Sequence, residues 1–236
     1  MKGRKLKMEF IIITIITIIL IIILKFIFDY NMKILRKIGK DDELDEIAKK
    51  YPSNIEMCKD YLKILKNEKV KIEENKESEA SLYIAITDKI SIANISNTYT
   101  RIQTIAHECL HSIQERKILL FNFVFSNIFI IYHFVICVLA LFQLLPNKLM
   151  FLSIFLILGF TYYMVRAYLE NDAMIKARYL AKEYLQDKNI SSKDEIDKLV
   201  AGFDKINNIG IRCINYNLFL GVMVKLLVFL VICIIR

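Results

Sequence analysis

The chain has 236 residues, of which 56% are apolar and 25% charged, with a formal net charge of +8 and a positive mean hydropathy. That apolar fraction exceeds what an ordinary soluble domain carries, so much of the surface must face lipid. The positive charge is spread along the chain and is not interleaved with aromatic residues, which argues against a nucleic-acid partner and makes anionic headgroups of the lipid bilayer its counterpart.

The first apolar run covers residues 10–28, interrupted by Lys25 and preceded by Lys2, Arg4, Lys5 and Lys7. At ~1.5 Å per residue it crosses a hydrocarbon core of ~30 Å, and it lacks the small-residue cleavage site of a signal peptide. It reads as a retained anchor, residues 8–28. Residues 29–117 are mixed and charged. Helical spacing of apolar residues predicts helices over 41–50 and 53–66, with Pro52 near the second start. Alternation over 82–95, with Thr87, Asp88 and Lys89 between the halves, predicts a hairpin of two strands. A helix is predicted over 104–117.

Two apolar runs follow, 118–145 and 149–169, separated by Pro146, Asn147 and Lys148, and they predict a membrane hairpin over 118–169. Residues 170–212 look helical, with Ser192 and Glu195 spaced as a capping box. A last span lies within 213–236 and contains Lys225. The fold class expected is therefore a mainly α, multi-pass membrane protein. It has four transmembrane helices and a small zincin-like α+β catalytic region carrying a short β-hairpin. More Lys and Arg flank the spans on the side of 29–117 and 170–212 than on the other, which places both soluble segments in the cytoplasm.

Five cysteines, Cys58, Cys109, Cys137, Cys213 and Cys233, are odd in number and scattered, so no disulfide framework is expected. His133 and Lys225 fall inside spans, where a neutral bonded histidine and a snorkelling or packed lysine are the plainer readings.

Chemistry concentrates in His107-Glu108-Cys109-Leu110-His111. On a helix His107 and His111 are one turn apart, so both imidazoles leave the same face and can hold one metal ion, while Glu108 can reach a water on it. With three histidines in the chain, such spacing arises by chance in roughly one chain in several hundred. Two neutral nitrogens, a carboxylate base and an open position are what a hydrolytic zinc site needs, with one further protein ligand. The hairpin returns the chain to the face it left, which brings Glu170, just beyond the third run, near the histidine helix. Asp172 stands two residues on, roughly 200° around a helix, so only one of the two faces the metal, and Glu170 is preferred. Cys109, turned away from both histidines, is expected to be buried and not metal-bound. His111 precedes Pro146 by 35 residues and Glu170 follows it by 24, a mismatch of ~16 Å for straight helices. A break is therefore expected over 121–127, where Asn122, Ser126 and Asn127 interrupt the apolar run, leaving 128–145 as the span.

The order of anchor, Thr-Ile-Ala-His-Glu-Cys-Leu-His-Ser-Ile-Gln, hairpin, Glu-Asn-Asp-Ala and last span resembles the membrane neutral zinc metallopeptidases of the YugP-like family. More distantly it is similar to the membrane gluzincins, which include the heat-shock membrane protease and the CAAX prenyl protease. The resemblance runs over nearly the whole chain, but its specific part is confined to 104–114 and 170–173. It implies Zn2+ held by His107, His111 and Glu170, with Glu108 as the catalytic base. Leu110 departs from the family's usual Gly, and Met174 stands where many gluzincins have an Asp that orients a histidine, which leaves that supporting role unassigned. The activity implied is hydrolysis of peptide bonds in a protein or peptide substrate. The alternating 82–86 segment offers a strand edge that would hold such a substrate extended, or equally a small sheet that only covers the histidine helix. Arg178 and Tyr179 are candidates to stabilise an oxyanion. Two other readings stand beside this one: a membrane sensor or signalling component with a degenerate zinc site, and an accidental motif in a non-enzymatic membrane protein. Neither substrate preference nor oligomeric state is legible in the sequence.

Overall fold

The structure is a computed structural model and describes residues 2–75, 77–78 and 80–236. Its elements are α1 (Lys2–Ile27), α2 (Met32–Ile38), α3 (Asp42–Lys49), α4 (Asn54–Ile64), β1 (Lys71–Asn75), β2 (Leu82–Ile84), β3 (Lys89–Ala93), α5 (Arg101–His111), α6 (Arg116–Leu141), α7 (Lys148–Lys188) and α8 (Lys193–Ile235). They form two compact units, to both of which α6, α7 and α8 contribute residues.

One unit comprises Met1–Tyr30, Phe121–Tyr168 and Arg212–Arg236. Among the described residues four helices, α1, α6, α7 and α8, are long and apolar enough to cross a membrane. Within this unit they bury Phe10, Phe129, Phe155, Phe229 and Leu230 against one another. Phe129 and Phe155 stand 5.2 Å apart between ring centroids. The outward faces stay apolar: Ile12, Ile16 and Ile22 on α1, Ile131 and Phe134 on α6, Ile157 on α7 and Val228 on α8 are all exposed. Pro146 and Asn147 lie in the link from α6 to α7, as the hairpin reading requires. The expected break over 121–127 is absent, and α6 runs straight through it. The physical reason is local. Ser126 donates to the Asn122 carbonyl and Asn127 to the Phe123 carbonyl, each one turn back, so these polar side chains are satisfied by the helix itself.

Asn31–Leu120 and Leu169–Ile211 make the other unit. Its core gathers Leu44, Met57, Tyr61, Ile90, Ile92, Tyr99, Ile102, Ala106, Tyr184, Leu199 and Phe203. The predicted helices over 41–50 and 53–66 are α3 and α4. Asp41 caps the first, and Ser53 with Glu56 closes a capping box on the second. Ser192 and Glu195 cap α8 in the same way. The predicted hairpin is β2 and β3, antiparallel with Tyr83 opposite Ile90. Asp88 adopts φ 48° in the turn, a conformation its short polar side chain tolerates. A third strand, β1, was not expected; it pairs parallel to β3, giving the order β1-β3-β2 and leaving β2 at an edge.

Candidate metal centre

Helix α5 carries the two histidines and is almost wholly buried. Ile102, Ile105, Ala106 and Cys109 repeat at helical spacing and enter the core, where all four are fully buried. At its N-terminus the buried Arg101 guanidinium donates to the carbonyls of Ala48, Tyr51 and Pro52 and to the Asn54 side chain. The chain thus fixes α5 against the α3–α4 connection. At the other end the predicted helix over 104–117 stops short. α5 ends at His111, a turn over residues 112–115 follows, and α6 begins at Arg116. Ser112 donates to the Cys109 carbonyl, and the Asn67 amide donates to the Ser112 carbonyl at 3.0 Å, satisfying groups that a continued helix would have paired. The interruption that the depth mismatch demanded is therefore this turn, ahead of the place expected.

His107 Nε2 and His111 Nε2 stand 3.0 Å apart, and their rings are edge to face at 87°. Glu170, on α7 and buried, places Oε2 3.4 Å from His107 Nε2 and 3.7 Å from His111 Nε2. Among the described residues these three form the group able to hold a metal ion. Asp172 turns elsewhere: it pairs with Lys176 at 2.6 Å and accepts from the Gln114 side chain at 3.2 Å. Burial would raise the Asp172 pKa, but Lys176 and Gln114 outweigh it and hold the carboxyl below its ordinary value.

Glu108 lies one residue beyond His107 and is buried, with Oε2 accepting the Tyr83 main-chain N–H at 2.7 Å. Burial pushes its pKa up; the neighbouring His107 and His111 and the Tyr83 N–H only partly oppose this. Burial pulls His111 down, yet the carboxylates of Glu170 and Glu108, with Gln114, outweigh it and leave its pKa raised. Cys109 is buried, with its sulfur 3.6 Å from that of Cys58 on α4.

Arg178 and Tyr179 are not brought to this group. Arg178 pairs with Asp204 of α8 at 2.7 Å and donates to the Tyr179 hydroxyl, and Tyr179 is exposed. Two contributors escaped the sequence reading: the main chain of Tyr83, which no side-chain motif advertises, and Gln114, three residues beyond His111. Gln114 accepts at His111 Nδ1 and donates to the Leu169 carbonyl. Comparison with protein-family models, with characterised proteins and with solved structures finds no match to this chain.

Proposed function

We propose that this chain is a membrane-embedded zinc-dependent endopeptidase, of the kind implied by its resemblance to the YugP-like metallopeptidases. The observation that carries the reading is the spacing of three donor atoms beside a buried carboxylate. In a tetrahedron with bonds of about 2.0–2.1 Å, ligand atoms stand about 3.3 Å apart. The separations of 3.0, 3.4 and 3.7 Å among His107, His111 and Glu170 bracket that value. Two imidazoles and one carboxylate also form a donor set typical of catalytic zinc, with a fourth position for water.

Zinc bound there would lower the pKa of a water and polarise a scissile carbonyl. The rest is done by the chain's own groups. Glu108, buried beside the two histidines with its pKa raised by that burial, is placed to take a proton from a bound water and return it to a leaving amine. Its Oε2 is held by Tyr83, which leaves Oε1 to carry the proton. Because the Tyr83 N–H points to Glu108, that side of β2 is turned from β3 and toward the base. An extended protein or peptide substrate pairing along this edge would pass beside Glu108. The apolar outward faces of the four long helices support insertion in a lipid bilayer. The Lys and Arg balance favours a cytoplasmic position for the segments carrying the site.

Elemental analysis of the purified, detergent-solubilised chain tests this directly. About one zinc per chain is expected, lost on His107→Ala, His111→Ala or Glu170→Ala and retained on Asp172→Ala. A folded wild type that binds no zinc at micromolar metal would overturn the reading.

A further inference from the structure

The geometry points to Gln114 as the residue that orients His111 for metal, an inference that rests on the metal reading above. Gln114 lies in the turn between α5 and α6, and its side-chain amide makes three contacts. One end meets His111 Nδ1 at 2.8 Å; the other meets the Leu169 carbonyl at 2.8 Å and Asp172 Oδ2 at 3.2 Å. The last two partners are acceptors, so the NH2 group faces them and the carbonyl oxygen Oε1 faces His111. Turned over, the amide would set its oxygen against a carbonyl and a carboxylate at once.

An acceptor at Nδ1 requires a proton there. His111 is thereby held with its proton on Nδ1 and its lone pair on Nε2, the atom that points to His107 and Glu170. Ligating histidines need such a partner on the other ring nitrogen, and loss of one costs metal affinity about 10–100-fold. Gln114 fills this role, while Asp172, two residues beyond Glu170, acts through Gln114 and not on the metal. The contact to Leu169, the neighbour of Glu170, also ties the end of the histidine helix to the helix that supplies the carboxylate. Two of the three donors are thus set by one side chain. Its position outside α5 explains the arrangement: the helix stops at His111, and the turn brings Gln114 round to the ring edge.

The test uses the full chain in detergent with selectively 15N-labelled histidine, of which there are three to resolve, His133→Ala identifying the third signal. Co2+ affinity is measured in parallel. Gln114→Met keeps the side chain's bulk without its hydrogen bonds, and Gln114→Glu made together with Asp172→Asn keeps the acceptor for Nδ1 while its second oxygen meets an amide in place of a carboxylate. Wild type is expected to show His111 protonated at Nδ1. Gln114→Met should lose that fixed tautomer and bind Co2+ about 10–100-fold more weakly. Gln114→Glu with Asp172→Asn should retain the Nδ1 proton and lose less Co2+ affinity than Gln114→Met. Unchanged tautomer and affinity in Gln114→Met would overturn the role of Gln114 while leaving the metal centre standing. Loss of the Nδ1 proton in that double variant would overturn it as well. No Co2+ bound by wild type would instead bring down the metal reading itself, and this inference with it.

Discussion

The main-chain N–H of Tyr83 donates to Glu108 Oε2 at 2.7 Å, so the edge strand of the sheet holds the carboxylate beside the histidines. The bond stabilises the charged form and works against burial, which pushes the Glu108 pKa up. Since this N–H points away from β3, Tyr83→Pro deletes the donor without removing a ladder bond. Burial then acts with less opposition and the pKa rises further. In the proposed hydrolysis, Glu108 would be lost as base when pH falls through that pKa, so the acid limb of kcat/KM should move to higher pH in Tyr83→Pro. A limb at the wild-type pH would show that the bond does not tune the base.

Glu108→Gln separates metal holding from proton transfer, because Glu108 belongs to neither pair of close donor contacts around Glu170. Zinc content should stay at the wild-type level while peptide hydrolysis falls by about 10²–10⁴-fold. The same variant reports on stability. A carboxyl whose folded-state pKa is raised takes up a proton on folding, so its charged form opposes folding once pH exceeds the folded value. The neutral amide removes that cost and can still accept from Tyr83. The thermal midpoint of the metal-free protein at pH 7 should therefore rise in Glu108→Gln. Differential scanning calorimetry of the chelated protein checks this, and a lower midpoint would contradict it.

Arg101 is buried and gives four hydrogen bonds to acceptors at the end of α3, in the connection and at the start of α4. Arg101→Met leaves three carbonyls and an amide oxygen without that donor in a site shut off from water. The cost should be about 2–5 kcal/mol, read from denaturant unfolding. Arg101→Lys should recover only part of it, since an ammonium cannot reproduce the planar fork that reaches Pro52 and Asn54 with one nitrogen and Ala48 and Tyr51 with the other.

His107, Glu108 and His111 were legible because one turn of helix fixes their geometry whatever surrounds them. Glu170 was expected beside them from reading the two apolar runs as a hairpin, and its carboxylate stands 3.4 and 3.7 Å from the two imidazoles. What stayed hidden depends on distant partners. The end of α5 is set by Asn67, 45 residues earlier in the chain, and that end is what turns Gln114 toward His111. β1, with Glu73, Glu74 and Asn75 in its five residues, carries little strand propensity and exists through its parallel pairing with β3. The misplaced break has a local origin instead. Asn122, Ser126 and Asn127 read as interruptions in a one-dimensional pattern, yet Ser126 and Asn127 bond to carbonyls of their own helix and leave it intact.

Gly202 on α8 tests the packing that backs α5. A Cβ added there would lie 2.8 Å from Leu44 Cδ1 and 3.0 Å from Tyr99 Cε2. The Leu44 methyl can rotate aside, but the Tyr99 ring cannot. Its hydroxyl donates to the Ile38 carbonyl, its N–H donates to Asp45, and its face stacks on Phe203 at 6.1 Å. Two effects oppose each other in Gly202→Ala: strain at Tyr99, and the gain of about 1 kcal/mol in helix propensity when Gly becomes Ala. That variant should lie close to wild type. Gly202→Val adds two methyl groups against the same fixed ring, so overpacking of about 1–3 kcal/mol should prevail. Denaturant unfolding of both variants reads the difference, and a valine variant as stable as the alanine one would mean that Tyr99 yields.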